Sequence, residues 1–185
     1  MTRFRYALIA AVLVLAASLE VSAQQLFQDD PLIVAAYKNE VDAVRALLVR
    51  GHTTSARDGD GRTALIWGAT QGNYESIQLL LERRIQIDQA DKYGNSALYY
   101  AAGNGHIDTV ELLLEYGATV DAQNLEGRTP LMHAVEAGHI ETAKALIDRG
   151  ADVNRSDFTG RTVLDWARAG RSGRVVRILQ QAGAN

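Results

Sequence analysis

The sequence predicts an all-α solenoid of about five stacked units, and three observations carry that prediction. Leu32, Leu65, Leu98, Leu131 and Leu164 stand 33 positions apart. Gly61, Gly94, Gly127 and Gly160 keep the same step, and Gly51, Gly117, Gly150 and Gly183 recur on the same 33-residue grid. The chain's two prolines, Pro31 and Pro130, fall at one position of that period. A fixed period of this length marks a repeat array, in which each unit buries its apolar face only against its neighbours. Such an array offers a partner a long surface and no deep enclosed cleft, which favours binding over chemistry.

Taken in order, the chain opens on a leader. Arg3 and Arg5 precede a 13-residue run, Ala7 to Leu19, in which only Ser18 is polar, and Val21-Ser22-Ala23 follows with small residues. This is the pattern of a secretory signal peptide over residues 1–23, with cleavage expected between Ala23 and Gln24. The run is short of the roughly 20 apolar residues of a spanning helix, so no membrane span is expected after cleavage. Phe4 separates the arginines, which is unlike a twin-arginine signal. Five units then follow: 24–57, 58–90, 91–123, 124–156 and 157–185.

The third unit, 91–123, shows how each unit is built. Ser96 is placed to cap a first helix by accepting from its free N–H groups; Thr63, Thr129, Thr162 and Asp30 occupy the equivalent place. Pro31 and Pro130 directly follow their caps, where a missing N–H costs nothing. Leu98, Ala101 and Ala102 form a buried stripe at helical spacing, and the small alanines let the neighbouring helix approach. Gly105, matched by Gly72, Gly138 and Asn39, ends this helix in the left-handed conformation. Ile107, Val110, Leu113 and Leu114 give a second helix one apolar face, and Gly117 ends it. The turn-rich stretch through Asn124 to Gly127 reads as a β-hairpin finger.

This pattern resembles the ankyrin repeat. The fourth unit is closest, with Gly127-Arg-Thr-Pro-Leu131, then Ala134, Gly138-His139 and Gly150-Ala-Asp-Val-Asn154, and the resemblance runs from Asp29 to Asn185. It departs from the family at the histidine after the leucine, where Ile33, Ile66, Tyr99, Met132 and Asp165 stand. The family's Thr–His hydrogen bond is therefore expected to be absent and replaced by packing. Arg84 stands where a helix-ending glycine is expected, and Arg171-Ser172-Gly173-Arg174 brings polar residues into the fifth unit. The first and fifth units read as caps, since terminal repeats present a polar outer face.

The resemblance implies a protein partner, bound through the finger tips and the concave face of the first helices. Two after each repeat leucine stands a ladder of Val34, Trp67, Tyr100, His133 and Trp166, which holds both tryptophans. Either it packs against the neighbouring finger or it contacts a partner. The tips add Tyr93, Leu125 and Phe158, with Arg62, Asn95, Arg128 and Arg161 nearby. Aromatic and arginine side chains usually carry interface energy, and tips stand in water, so these are candidate contacts. Arg168, Arg171, Arg174 and Arg177 form either the solvated face of a cap or a site for an acidic partner or anionic lipid heads.

Composition and missing motifs narrow the rest. With 47% hydrophobic and 22% charged residues the composition is ordinary, and there is no cysteine, hence no disulfide or thiolate chemistry. Without the leader the chain carries net −4, with +4 over residues 155–185 and −8 over 24–154. That is no footprint for nucleic acid. The four histidines show no metal-binding spacing, and there is no phosphate loop or nucleophile turn. We therefore expect no enzymatic activity, no catalytic or metal site and no cofactor. The expectation is a monomeric, exported protein-binding module, periplasmic in a bacterium, that acts as scaffold, accessory factor or inhibitor. Two alternatives are a carrier of a small aromatic ligand and a secreted, host-directed effector.

Overall fold

A computed structural model describes residues 30–170 and 173–184; the expected leader, Arg171 and Asn185 lie outside them. Ten helices are present among the described residues. Five short first helices are α1 (Pro31–Tyr37), α3 (Ala64–Gln71), α5 (Ala97–Gly103), α7 (Pro130–Ala137) and α9 (Val163–Ala169). Each pairs with a second helix: α2 (Val41–Val49), α4 (Tyr74–Leu81), α6 (Ile107–Glu115), α8 (Ile140–Asp148) and α10 (Gly173–Gln181). The first helices stack on one another in one layer and the second helices in another, as an all-α solenoid of about five units requires.

The helix starts follow from local chemistry. Thr63, Ser96, Thr129 and Thr162 are extended, and each hydroxyl accepts from the N–H three residues on, while Asp30 accepts from Leu32. Pro31 and Pro130 open their helices. The stops are equally regular: Gly72, Gly105 and Gly138 have φ between 71° and 81°, and Asn39 takes the same region at 56°. Arg84 also adopts it, with φ 53°, so the backbone keeps the glycine's geometry despite the side chain.

The core is one continuous cluster. Leu32, Leu65, Leu98, Leu131 and Leu164 are at most 3% exposed, and Ala36, Ala69, Ala102 and Ala134 beside them are fully covered. Val44, Ile77, Val110 and Leu113 close it from the second layer. Where the family's histidine is missing, Ile33, Ile66 and Met132 are fully buried and Tyr99 nearly so. Packing thus fills the gap in the first four units. The fifth differs from expectation, because Asp165 accepts from the Thr162 hydroxyl and N–H in a capping box. There a carboxylate takes the histidine's place as a hydrogen-bond partner.

The fingers also differ in detail from two-stranded hairpins. Each is a tight turn closed on itself by two backbone bonds: Asp58, Asp91, Asn124 and Asp157 N–H donate to the carbonyl four residues on, and their own carbonyls accept from Gly61, Gly94, Gly127 and Gly160 N–H. Among the described residues the only bridge is the isolated pair Ser156 and Thr162. The fingers also bond to one another: Lys92, Leu125 and Phe158 N–H donate to the carbonyls of Asp60, Tyr93 and Glu126 in the preceding finger, at 3.0 Å in each case.

Candidate protein-binding site

The finger side of the first helices gathers most of the residues singled out in the sequence. Its floor is set by a recurring pair nine residues apart. Trp67 Nε1 donates to Asp58 at 2.7 Å, Tyr100 Oη to Asp91 at 2.7 Å, and Trp166 Nε1 to Asp157 at 3.1 Å. The other oxygen of each carboxylate accepts backbone N–H groups of its own turn. One acidic side chain therefore both shapes the finger and fixes the ladder residue beneath it. Burial alone would raise the Asp157 carboxyl, but hydrogen bonds from Thr159, Arg161 N–H and Trp166 hold it below its ordinary value.

Two clusters rise from this floor. In the first, the Arg62 guanidinium lies 4.8 Å from the Trp67 ring centre and 5.2 Å from that of Tyr100. Its Nε stands 3.7 Å from the Asp91 carboxylate, and Asn95 Nδ2 donates to Tyr100 Oη. Burial, and then the hydrogen bond to Asp91, raise the Tyr100 hydroxyl above its usual range. In the second cluster, the guanidinium carbons of Arg128 and Arg161 lie 4.1 and 5.0 Å from the Trp166 ring centre. Arg128 also pairs with Glu136. Such cation–π contacts hold an arginine over an aromatic floor.

Above both clusters stand the tips. Tyr93 is 50% exposed, Leu125 70% and Phe158 72%. Tyr93 receives Lys92, whose ammonium is 5.1 Å from its ring and is paired with Asp60. Phe158 leans on the Cα of Gly127, where a Cβ would stand 2.6 Å from its ring. Leu125, Phe158, Trp166, Arg128 and Arg161 line one open cleft between the last two fingers.

His133 is not part of these clusters. The fourth unit has Asn124 where the others have aspartate, and Asn124 instead bonds across to Asn95. His133 turns onto the preceding unit and stacks on Tyr99, with ring centres 4.3 Å apart. It occupies the space left by Gly103, where a Cβ would lie 2.1 Å from the imidazole. The Tyr99 carbonyl, 3.2 Å from Nδ1, can only accept, so Nδ1 carries the proton. Burial pushes the His133 pKa below its ordinary value and that of Tyr99 up to about 12. Val34, at the ladder's first rung, is half-buried.

Lys92, Glu136 and the triplet Asp58, Asp91 and Asp157 were not singled out as site residues in the sequence. The triplet's nine-residue offset from the ladder was the signal available for it. Of the basic cap residues, Arg168 pairs with Asp165 at 3.5 Å and Arg174 with Glu141 at 3.8 Å, all of them solvent-exposed. Among the described residues no cluster of histidine and carboxylate side chains could hold a metal ion, and no helix is long and apolar enough to cross a membrane.

A solenoid of paired helices with inter-bonded fingers defines the class, and comparison with protein families agrees. The family model for ankyrin repeats (3 copies) matches residues 6–91, 32–124, 85–157 and 120–185. The chain belongs to the ankyrin-repeat family. Among curated proteins no relative matches it. Ankyrin repeats are generally protein–protein interaction modules and typically non-enzymatic.

Proposed function

We propose that this chain is an exported protein-binding module whose finger side receives a partner protein in the periplasm. It serves there as a scaffold, an accessory factor or an inhibitor. The observation that carries the binding reading is the exposure of Tyr93, Leu125 and Phe158 on tips locked together by backbone bonds. Three large apolar side chains held in water on a rigid support lose little entropy when a partner covers them. The ladder beneath is half-buried, and the polar ends of Trp67, Tyr100 and Trp166 are already engaged. It therefore acts as the floor of the site more than as a free grasping surface. Export rests on the leader motif at residues 1–23.

Two measurements test this reading. A photo-crosslinking amino acid at position 125, introduced into the full chain in the exporting cell, is expected to capture one dominant protein. The same group at Gln71, exposed but away from the tips, is expected not to. Equal capture at both positions would remove the finger tips from the interface. The intact mass of the exported protein is expected to begin at Gln24; a retained leader would overturn the export reading.

A further inference from the structure

The cleft between the last two fingers differs in chemistry from the rest of the finger side. Its rim is formed by Leu125 and Phe158, the two most exposed apolar side chains of the tips. Its floor is the indole of Trp166, and the open space between is about 660 Å³. Two guanidinium groups stand over that one indole. The two differ in how they are neutralised. Arg128 is paired with Glu136, yet its Nε is buried and has no hydrogen-bond partner. Arg161 is exposed and, among the described residues, has no ion-pair partner.

The carboxylates nearby do not neutralise Arg161. Asp157 is buried and accepts from Thr159, from the N–H of Arg161 and from Trp166. Asp165 is turned back into the capping box of α9. The two acidic side chains of residues 155–185 are thus engaged within the fold, while six arginines give that stretch net +4. An unpaired cation beside an apolar rim selects for the opposite pattern, an apolar side chain next to a carboxylate. Arginine held over an aromatic ring is pre-organised to meet that carboxylate with two N–H groups.

We infer that this cleft receives an acidic polypeptide segment of the partner protein. An apolar side chain seats between Leu125 and Phe158, and a neighbouring carboxylate pairs with Arg161. The inference rests on the protein-binding reading and adds the chemistry of the partner. Glu126, on the same rim, is the opposing charge. Its removal therefore strengthens the interaction.

The test is selection of random dodecamer peptides displayed on phage against the full chain, followed by anisotropy titration of the enriched peptides. The expected result is enrichment of aspartate or glutamate beside leucine or an aromatic residue. Affinity then falls at least tenfold in R161E and in F158A, is partly retained in R161K and rises in E126K. It also falls steeply as salt is raised to about 500 mM, because screening weakens exposed pairs. Circular dichroism of each variant establishes that it is folded. Enriched peptides without acidic residues, or acidic peptides indifferent to R161E, would overturn the inference. Peptides lost with Y93A but not with R161E would overturn it too, while leaving the protein-binding reading intact. Sedimentation with phosphatidylserine vesicles that is abolished by R161E but unaffected by F158A would overturn it in favour of a membrane surface.

Discussion

At the residue scale, the same side chains shape the fingers and hold the ladder, and this makes their removal costly. Asp157→Ala strips the acceptor from the turn's N–H groups and from the Trp166 indole at once. Losing hydrogen bonds to a charged acceptor costs about 1.5–3 kcal/mol, so urea unfolding should show a loss of that size. Asp157→Asn should lose less, because Asn124 makes the same turn in the fourth unit, accepting from Glu126 and Arg128 N–H. His133 supplies a pH signature. Burial depresses its folded-state pKa, against the Tyr99 carbonyl and Glu136, which favour the charged form, and with Arg128 and His139, which oppose it. Its contribution is complete above the unfolded value of about 6.5 and is lost as pH falls from there toward the folded value. Denaturation at pH 7.5 and 5.5 should therefore show a smaller acid loss for His133→Gln than for the wild type. The caps were legible in the sequence, because a serine or threonine acts within three residues. The inward turn of His133 was not, because it depends on Gly103, thirty positions earlier.

At the element scale, periodicity defined the helices well. The stripe Leu98, Ala101 and Ala102 is buried throughout, and of the predicted second-helix face Val110 and Leu113 are fully covered. Ile107 and Leu114, at its edges, are only partly so. Leu98→Ala opens a cavity in the middle of the stack and should cost about 2–5 kcal/mol. A thermal midpoint unchanged within error would place Leu98 outside the core. The fingers were read less completely. Turn residues announced the reversal that each finger closes on itself, but nothing local showed that each finger also bonds to its neighbour. The bonds from Lys92, Leu125 and Phe158 N–H join residues about one repeat apart. They become visible only once the units are stacked.

At the scale of the whole molecule, stability is a chain of neighbour contacts, and the ends have fewer neighbours. In α10 only Val175 and Leu179 are buried, whereas α6 buries Thr109, Val110, Leu112 and Leu113. Hydrogen exchange should therefore be fastest in α10 and slowest in α5 and α6, with protection tracking local burial. Uniform protection across the five helix pairs would mean that the array opens only as one unit. The spine of backbone bonds through the fingers has another consequence. Lys92, Leu125 and Phe158 are joined to their neighbours through main-chain atoms, and their side chains take no part in those bonds. These main-chain bonds do not depend on which side chain stands at the position, even where Lys92 adds a pair with Asp60 and Phe158 a contact with Gly127. A new side chain can be written at one tip without moving the next, so partner choice can drift by single substitutions while the scaffold that spaces them stays the same.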